Sequence, residues 1–187
     1  MDGSVPLDGG LPRARWEWSR DWTGAVAVIV AGAGAGTLAA MRGAVPLDVM
    51  LIATWGALLA ALAMYDMRHR VIRNRVVCPA LGIALATSPL WSDGGLAEAA
   101  EGGAVALVSG CIVLLLARGG MGGGDLKMWL LIGLVVRYPA VWTAGVVAVL
   151  AGGIAAVVLL VGGSEGSRGT LAYAPYLVLG GLVALAM

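Results

Sequence analysis

Seven apolar runs follow one another along the chain, at about residues 23–41, 46–65, 76–91, 103–117, 126–136, 140–161 and 171–187. Most approach the roughly 20 residues that a helix needs to cross about 30 Å of hydrocarbon. Hydrophobic residues make up 60% of the 187, charged residues only 12%, and the mean hydropathy is +0.91. A soluble α/β domain of this length needs polar helix faces, and the runs leave none. A membrane β-barrel needs strands that alternate apolar and polar residues, which the runs do not do. Abundant glycine and alanine suit close helix packing in lipid. The expected fold class is therefore all-α, a polytopic transmembrane bundle of seven spans. Six is the alternative, if the short fifth run merges with the sixth around Tyr138-Pro139.

No internal repeat, heptad pattern or soluble second domain is visible, which divides the chain into an N-terminal segment, 1–22, and a transmembrane domain, 23–187. The first segment interleaves Arg13, Arg15 and Arg20 with Trp16, Trp18 and Trp22. Such a segment suits either an amphipathic anchor on the membrane surface or a tail with interfacial tryptophans. The run at 23–41 is too long for the core of a signal peptide and reads as a retained helix.

Lysines and arginines near span ends set orientation. The loop from Arg68 to Arg75 carries four arginines and is expected in the cytoplasm, together with the N-terminal segment and the loops of Arg118, Lys127 and Arg168. Only Arg42 and Arg137 fall on the other side. Lipid contact at this basic loop is expected; no feature points to a nucleic acid.

Two aspartates stand out against this background. Asp66 ends the second run, in Tyr65-Asp66-Met67-Arg68, and Asp125 closes the cluster Gly122-Gly123-Gly124 just before the fifth. A carboxylate at membrane depth costs several kcal/mol, so it marks chemistry or transport. The topology puts both at one depth, at the cytoplasmic ends of their spans. Two carboxyls brought face to face share a proton. One then activates water while its partner polarises a scissile carbonyl. Such a dyad calls for neither metal nor cofactor.

Gly119, Gly120, Gly122, Gly123 and Gly124 suit this use, because glycine permits a positive φ or the close approach of a substrate backbone. A plainer reading is an interhelical loop with a solvated Asp125 at a helix N-terminus, favoured by the helix dipole. The glycine spacing does not fit a phosphate-binding loop.

Asp66, Arg68, Ile72 and Asn74 resemble the D-x-R-x-x-x-I-P-N segment of type IV prepilin peptidases. Gly122, Gly124, Asp125 and Lys127 are similar to the GxGD-x-K motif of the same family, the signature of GxGD intramembrane aspartyl proteases. Tyr173-Ala174-Pro175-Tyr176 with Gly180 resembles the family's Y-A-P segment before its last helix. The three stand in the family's order, over about residue 51 to the C-terminus. The resemblance implies that Asp66 and Asp125 are the catalytic pair, with Gly122, Gly124, Lys127, Arg68, Asn74 and Pro175 as motif residues around them. It further implies removal of a short basic leader from a prepilin-like substrate at the cytoplasmic face of a prokaryotic membrane.

Arg73 departs from the pattern, standing where the family has proline. Bifunctional members carry paired CxxC motifs associated with N-methylation, whereas Cys78 and Cys111 stand singly in apolar runs. They are expected to be buried packing residues, and no methyltransferase activity is expected. The chain looks like the short, peptidase-only forms, with one span added to the usual six. His69 is expected as a solvated loop residue, Lys127 as an interfacial anchor, Asp48 as interfacial, and Asn74 as a cap of the third helix. The alternatives are a small ion-coupled transporter, against which the missing inverted repeat speaks, and a non-catalytic scaffold of a pilus or secretion system.

Overall fold

The computed structural model describes residues 22–69, 74–92, 94–116, 122–161 and 173–187. Arg13, Arg15, Arg20, Arg70, Arg73, Arg118, Arg168, Gly119 and Gly120 lie outside them, as do Trp16 and Trp18. Among the described residues the structure is helical throughout: α1 (Trp22–Met41), α2 (Pro46–His69), α3 (Asn74–Thr87), α4 (Leu96–Leu116), α5 (Gly123–Val136), α6 (Ala140–Val161) and α7 (Ala174–Leu185). A short 3₁₀ turn, Ser88–Leu90, follows α3. The expected all-α bundle is thus observed.

Four of these helices, through residues 24–41, 46–69, 96–116 and 140–158, are each long and apolar enough to cross a membrane. The other three are shorter. At 1.5 Å per residue, the 14 residues of α3 or α5 reach only about 21 Å. Their shortness matters because both begin at the end of the bundle where the aspartates lie.

α5 is the centre of the fold. Met128, Trp129, Leu131, Ile132, Leu134, Val135 and Val136 are all buried, as expected for a helix that is apolar on every side. It is enclosed by α3, α4, α6 and α7, while α1 packs mainly on α2 at the edge. Outward faces are apolar too: Val146, Val149, Ile154 and Val157 of α6 and Val108, Ile112, Leu115 and Leu116 of α4 are exposed. Faces of this kind are stable only against lipid.

Small residues bring the helices together, as the composition suggests. A Cβ on Gly133 of α5 would lie 2.5 Å from the Gly102 carbonyl oxygen of α4. On α1, Gly32 sits so close to α2 that a Cβ would meet Ala53 O and the Ala57 side chain. Gly180 of α7 lies equally close to the backbone at Ala144 of α6. Packing of backbone on backbone is the means by which apolar helices associate in an apolar solvent.

Candidate active site

The two ends of the bundle differ chemically. At one end gather the C-terminus of α2 and the N-termini of α3, α5 and α7. Asp66 lies in the last turn of α2 and is 6% exposed. Asp125 is the third residue of α5, partly buried. Asp66 and Asp125, far apart in sequence, thus stand at the same end of the bundle.

α5 begins at Gly123, three residues before the apolar run that announced it. Asp125 therefore belongs to the first helical turn rather than to a glycine loop. Its carboxylate accepts a hydrogen bond from the Gly122 N–H at 3.3 Å, a local tie typical of helix starts. Gly122 has φ −82 and Gly123 and Gly124 are helical, so none of the three uses the expected left-handed backbone. Among described glycines the positive φ values belong to Gly43 and Gly94. What these glycines provide is room: a Cβ on Gly123 would meet nothing within 4 Å, and on Gly122 nothing nearer than Asp125 Oδ2 at 3.7 Å.

Lys127 and Asn74 meet directly. Lys127 Nζ donates to Asn74 Oδ1 at 2.8 Å, joining the two motif segments. Asn74 is the first residue of α3, and its side-chain oxygen faces α5. The interfacial role expected of Lys127 thus includes a specific partner that spacing did not announce.

The remaining predicted residues are placed more loosely. The Arg68 guanidinium lies over the start of α1, where a Cβ on Gly24 would be 3.1 Å from Nη2. His69 is the last residue of α2 rather than part of a loop; it is exposed, with its ring edge-on to Tyr65 at 4.4 Å between centroids. Pro175 stands in the first turn of α7, where its fixed φ and missing N–H cost nothing. Tyr173 stands just before α7, at the same end of the bundle. Its ring also lines an apolar cavity of about 360 Å³ bounded by Ser109 and Gly110 of α4, Trp129 of α5, and Gly145 and Val149 of α6.

The opposite end holds a second polar group. Asp48, in the first turn of α2, is buried in the protein. It accepts from the Ser92 N–H at 3.1 Å and from the Ser92 hydroxyl. Arg137, following α5, lies 4.3 Å from the centre of the Trp91 ring, and the Tyr138 N–H donates to Glu98 O at 3.0 Å. Cys78 is exposed on α3 rather than buried, and Cys111 is partly buried.

Fold and site together define a polytopic helical membrane protein with two carboxylates gathered at one end of its bundle. The comparisons with known proteins agree. The profile of the type IV leader peptidase family matches residues 51–161, more than half of the chain and including Asp66, Asn74, Asp125 and Lys127. The chain belongs to that family. It is 28% identical over 151 residues to a prepilin leader peptidase/N-methyltransferase of Bacillus subtilis (strain 168), covering 78% of this chain and 59% of that protein. The chain thus aligns with less than two thirds of that relative's length. No solved structure matches it.

Proposed function

We propose that the chain is an intramembrane aspartyl endopeptidase that trims the short basic leader from type IV prepilin-like proteins at the cytoplasmic membrane face. The observation that carries this reading is the placement of Asp66, in the last turn of α2, and Asp125, in the first turn of α5, at one end of the bundle. Family membership supplies the reaction class.

The chemistry follows from two carboxyls that share one proton. The ionised member takes a proton from water as the water oxygen attacks the scissile carbonyl carbon. The protonated member gives its proton to the carbonyl oxygen, so that no free oxyanion forms. Collapse of the tetrahedral diol breaks the C–N bond: the leaving nitrogen takes the proton from the protonated aspartate, and one diol hydroxyl gives its proton to the ionised aspartate as the carbonyl re-forms, which restores the singly protonated pair. The open space at Gly122 and Gly123 gives a substrate backbone access to Asp125. The arginines of the sequence from Arg68 to Arg75 support a cytoplasmic location for this end.

The reading is confined to peptide-bond hydrolysis. The methyl transfer in the relative's name is not carried over, because Cys78 and Cys111 stand singly on α3 and α4.

Asp66→Asn and Asp125→Asn, each co-expressed with a prepilin-like substrate, test the dyad. Both variants should insert and fold, and cleavage should fall by about 100-fold or more. Wild-type cleavage by either variant sinks the assignment.

A further inference from the structure

Gly181 of α7 touches both helices that carry an aspartate: a Cβ there would be 3.1 Å from Ile132 of α5 and 3.7 Å from Leu59 of α2. Asp66 lies seven residues beyond Leu59 and Asp125 seven before Ile132, so each stands about 10 Å nearer the same end of the bundle. Seven residues also return a helix to within about 20° of the same direction. The two aspartates therefore share one level, on the faces of α2 and α5 that α7 joins. Tyr173, eight residues before Gly181, stands near that level as well.

From this level an apolar cleft runs toward the far end of the bundle. It is the cavity that Tyr173 lines, and it follows α4 from Val113 to Val105 and α6 from Leu150 to Val141, about 12–14 Å along the helices. α4 packs chiefly on α5 and α6 chiefly on α7, so the two helices diverge with little contact between them. The floor between them is Trp129, four residues after Asp125 and hence on the same side of α5. Glycines admit its indole: a Cβ on Gly110 of α4 would be 3.0 Å from Trp129 Cδ1, and one on Gly145 of α6 would be 3.4 Å from Cη2. The indole N–H is taken by Ser109, so the floor presents carbon to the cleft. Val113 and Val146, on the two lips, are exposed.

We propose that this cleft seats the apolar helix of the substrate, on the side of the cleaved bond that stays in the membrane. The inference rests on the peptidase reading and adds a docking surface to it. A chain cut at the level of Asp66 and Asp125 leaves toward water on one side and enters lipid on the other. The part in lipid has to be helical and apolar, because its backbone finds hydrogen-bond partners only within itself. The cleft offers that helix carbon on its floor and both lips, beginning at the level of the cut and lying on the helix that carries Asp125. An acyl chain would match the carbon equally; continuity with the aspartates is what assigns the cleft to the substrate.

Two measurements decide it. In the first, the photo-reactive residue p-benzoylphenylalanine is placed at the position of Val113, Val146, Ile29 or Ile83, one at a time. The host is the Asp125→Asn protein in membranes, so that a co-expressed prepilin-like substrate stays uncut. Ile29 and Ile83 are exposed on α1 and α3, away from the cleft. Probes at Val113 and Val146 should form adducts with the substrate, and probes at Ile29 and Ile83 should not. In the second, Val113→Trp and Val146→Trp fill the cleft from exposed positions and so leave the core packing alone. Each should raise KM by about 10-fold with kcat within a factor of about two, and Ile83→Trp should match the wild type. Adducts with phospholipid alone, substrate adducts at all four positions alike, or wild-type KM in both cleft variants would overturn the proposal. Cleavage that survives Asp66→Asn removes the peptidase reading instead, and the adducts at Val113 and Val146 still judge the cleft.

Discussion

Trp129 Nε1 donates a 3.0 Å hydrogen bond to Ser109 Oγ, whose own proton goes to Val105 O at 2.7 Å. The serine hydroxyl is thereby oriented, its lone pair aimed at the indole. Trp129 is 7% exposed and its surroundings are apolar, so the N–H has no water to fall back on. Ser109→Ala should destabilise the protein by about 1 kcal/mol, read as a lower midpoint in denaturant titration of the detergent-solubilised protein. The Ser109→Ala/Trp129→Phe double variant should lose less than the sum of the two single losses. Strict additivity would mean that the bond contributes nothing.

Glycine at the α4–α5 contact makes a sharper prediction. A methyl at position 133 would lie 2.5 Å from both Gly102 O and Ala106 Cβ, and neither is the tip of a flexible side chain. Gly133→Ala should therefore force the helices apart and cost about 1–3 kcal/mol. Because α5 carries Asp125, cleavage should fall as well. Gly82→Ala is the control, since a Cβ there meets nothing within 4 Å; it should be neutral or slightly stabilising by thermal melting.

These two contacts show what the sequence discloses and what it withholds. Apolar runs announced seven helices because the hydrophobic requirement of a membrane span is local. Asp66 and Asp125 were legible for the same reason, as charges in the wrong solvent. Their gathering at one end followed from counting arginines, a rule about loop charge rather than contact. Helix starts were less legible. Gly123 and Gly124 look like a loop by propensity, yet the backbone bonds of the first turn and the carboxylate of Asp125 carry α5 back over them. The Lys127–Asn74 bond was invisible, because it depends on how α3 and α5 are rotated about their axes. The Asp48–Ser92 contact was invisible for the same reason, since Ser92 follows α3 and meets α2 only in the fold.

Asp48 should behave as a structural anchor, separate from the chemistry at the other end of the bundle. Asp48→Ala removes the acceptor of both the Ser92 N–H and the Ser92 hydroxyl. Ser92 is exposed and its donors can turn to water, so the loss should be about 1 kcal/mol, read as a lower melting temperature. Asp48→Asn keeps an acceptor oxygen and should lose less. Equal losses in the two variants would show that charge, rather than hydrogen bonding, is what Asp48 supplies.

Arg137 carries a backbone conformation that few side chains tolerate, with φ 66 and ψ 173. Such geometry costs on the order of 1–3 kcal/mol for a residue other than glycine. It is held by the Arg137 N–H donating to Gly133 O at 2.9 Å and by the guanidinium over Trp91. Arg137→Ala loses the cation–π contact and keeps the strain, whereas Arg137→Gly loses the contact but relieves the strain. The glycine variant should be the more stable of the two by about 1 kcal/mol or more, measured by thermal melting in one detergent. The opposite order would mean that the conformation at position 137 is unstrained.

Tyr173 lines the cavity among α4, α5, α6 and α7, and its position is open to test from a distance. A Cβ on Gly152 of α6 would be 2.7 Å from Tyr173 Cε2, so the absence of a side chain at 152 is what lets the ring lie where it does. Gly153, the next residue, has open space around it. Gly152→Leu should displace the ring away from its present place against α6, while Gly153→Leu should leave it. If Tyr173 helps to shape the substrate's approach to the dyad, the first variant should slow cleavage by about 10-fold and the second should match the wild type. Both leave Asp66 and Asp125 untouched, so a loss in the first variant alone reports on the ring. Equal rates in the two variants would confine Tyr173 to packing at the start of α7.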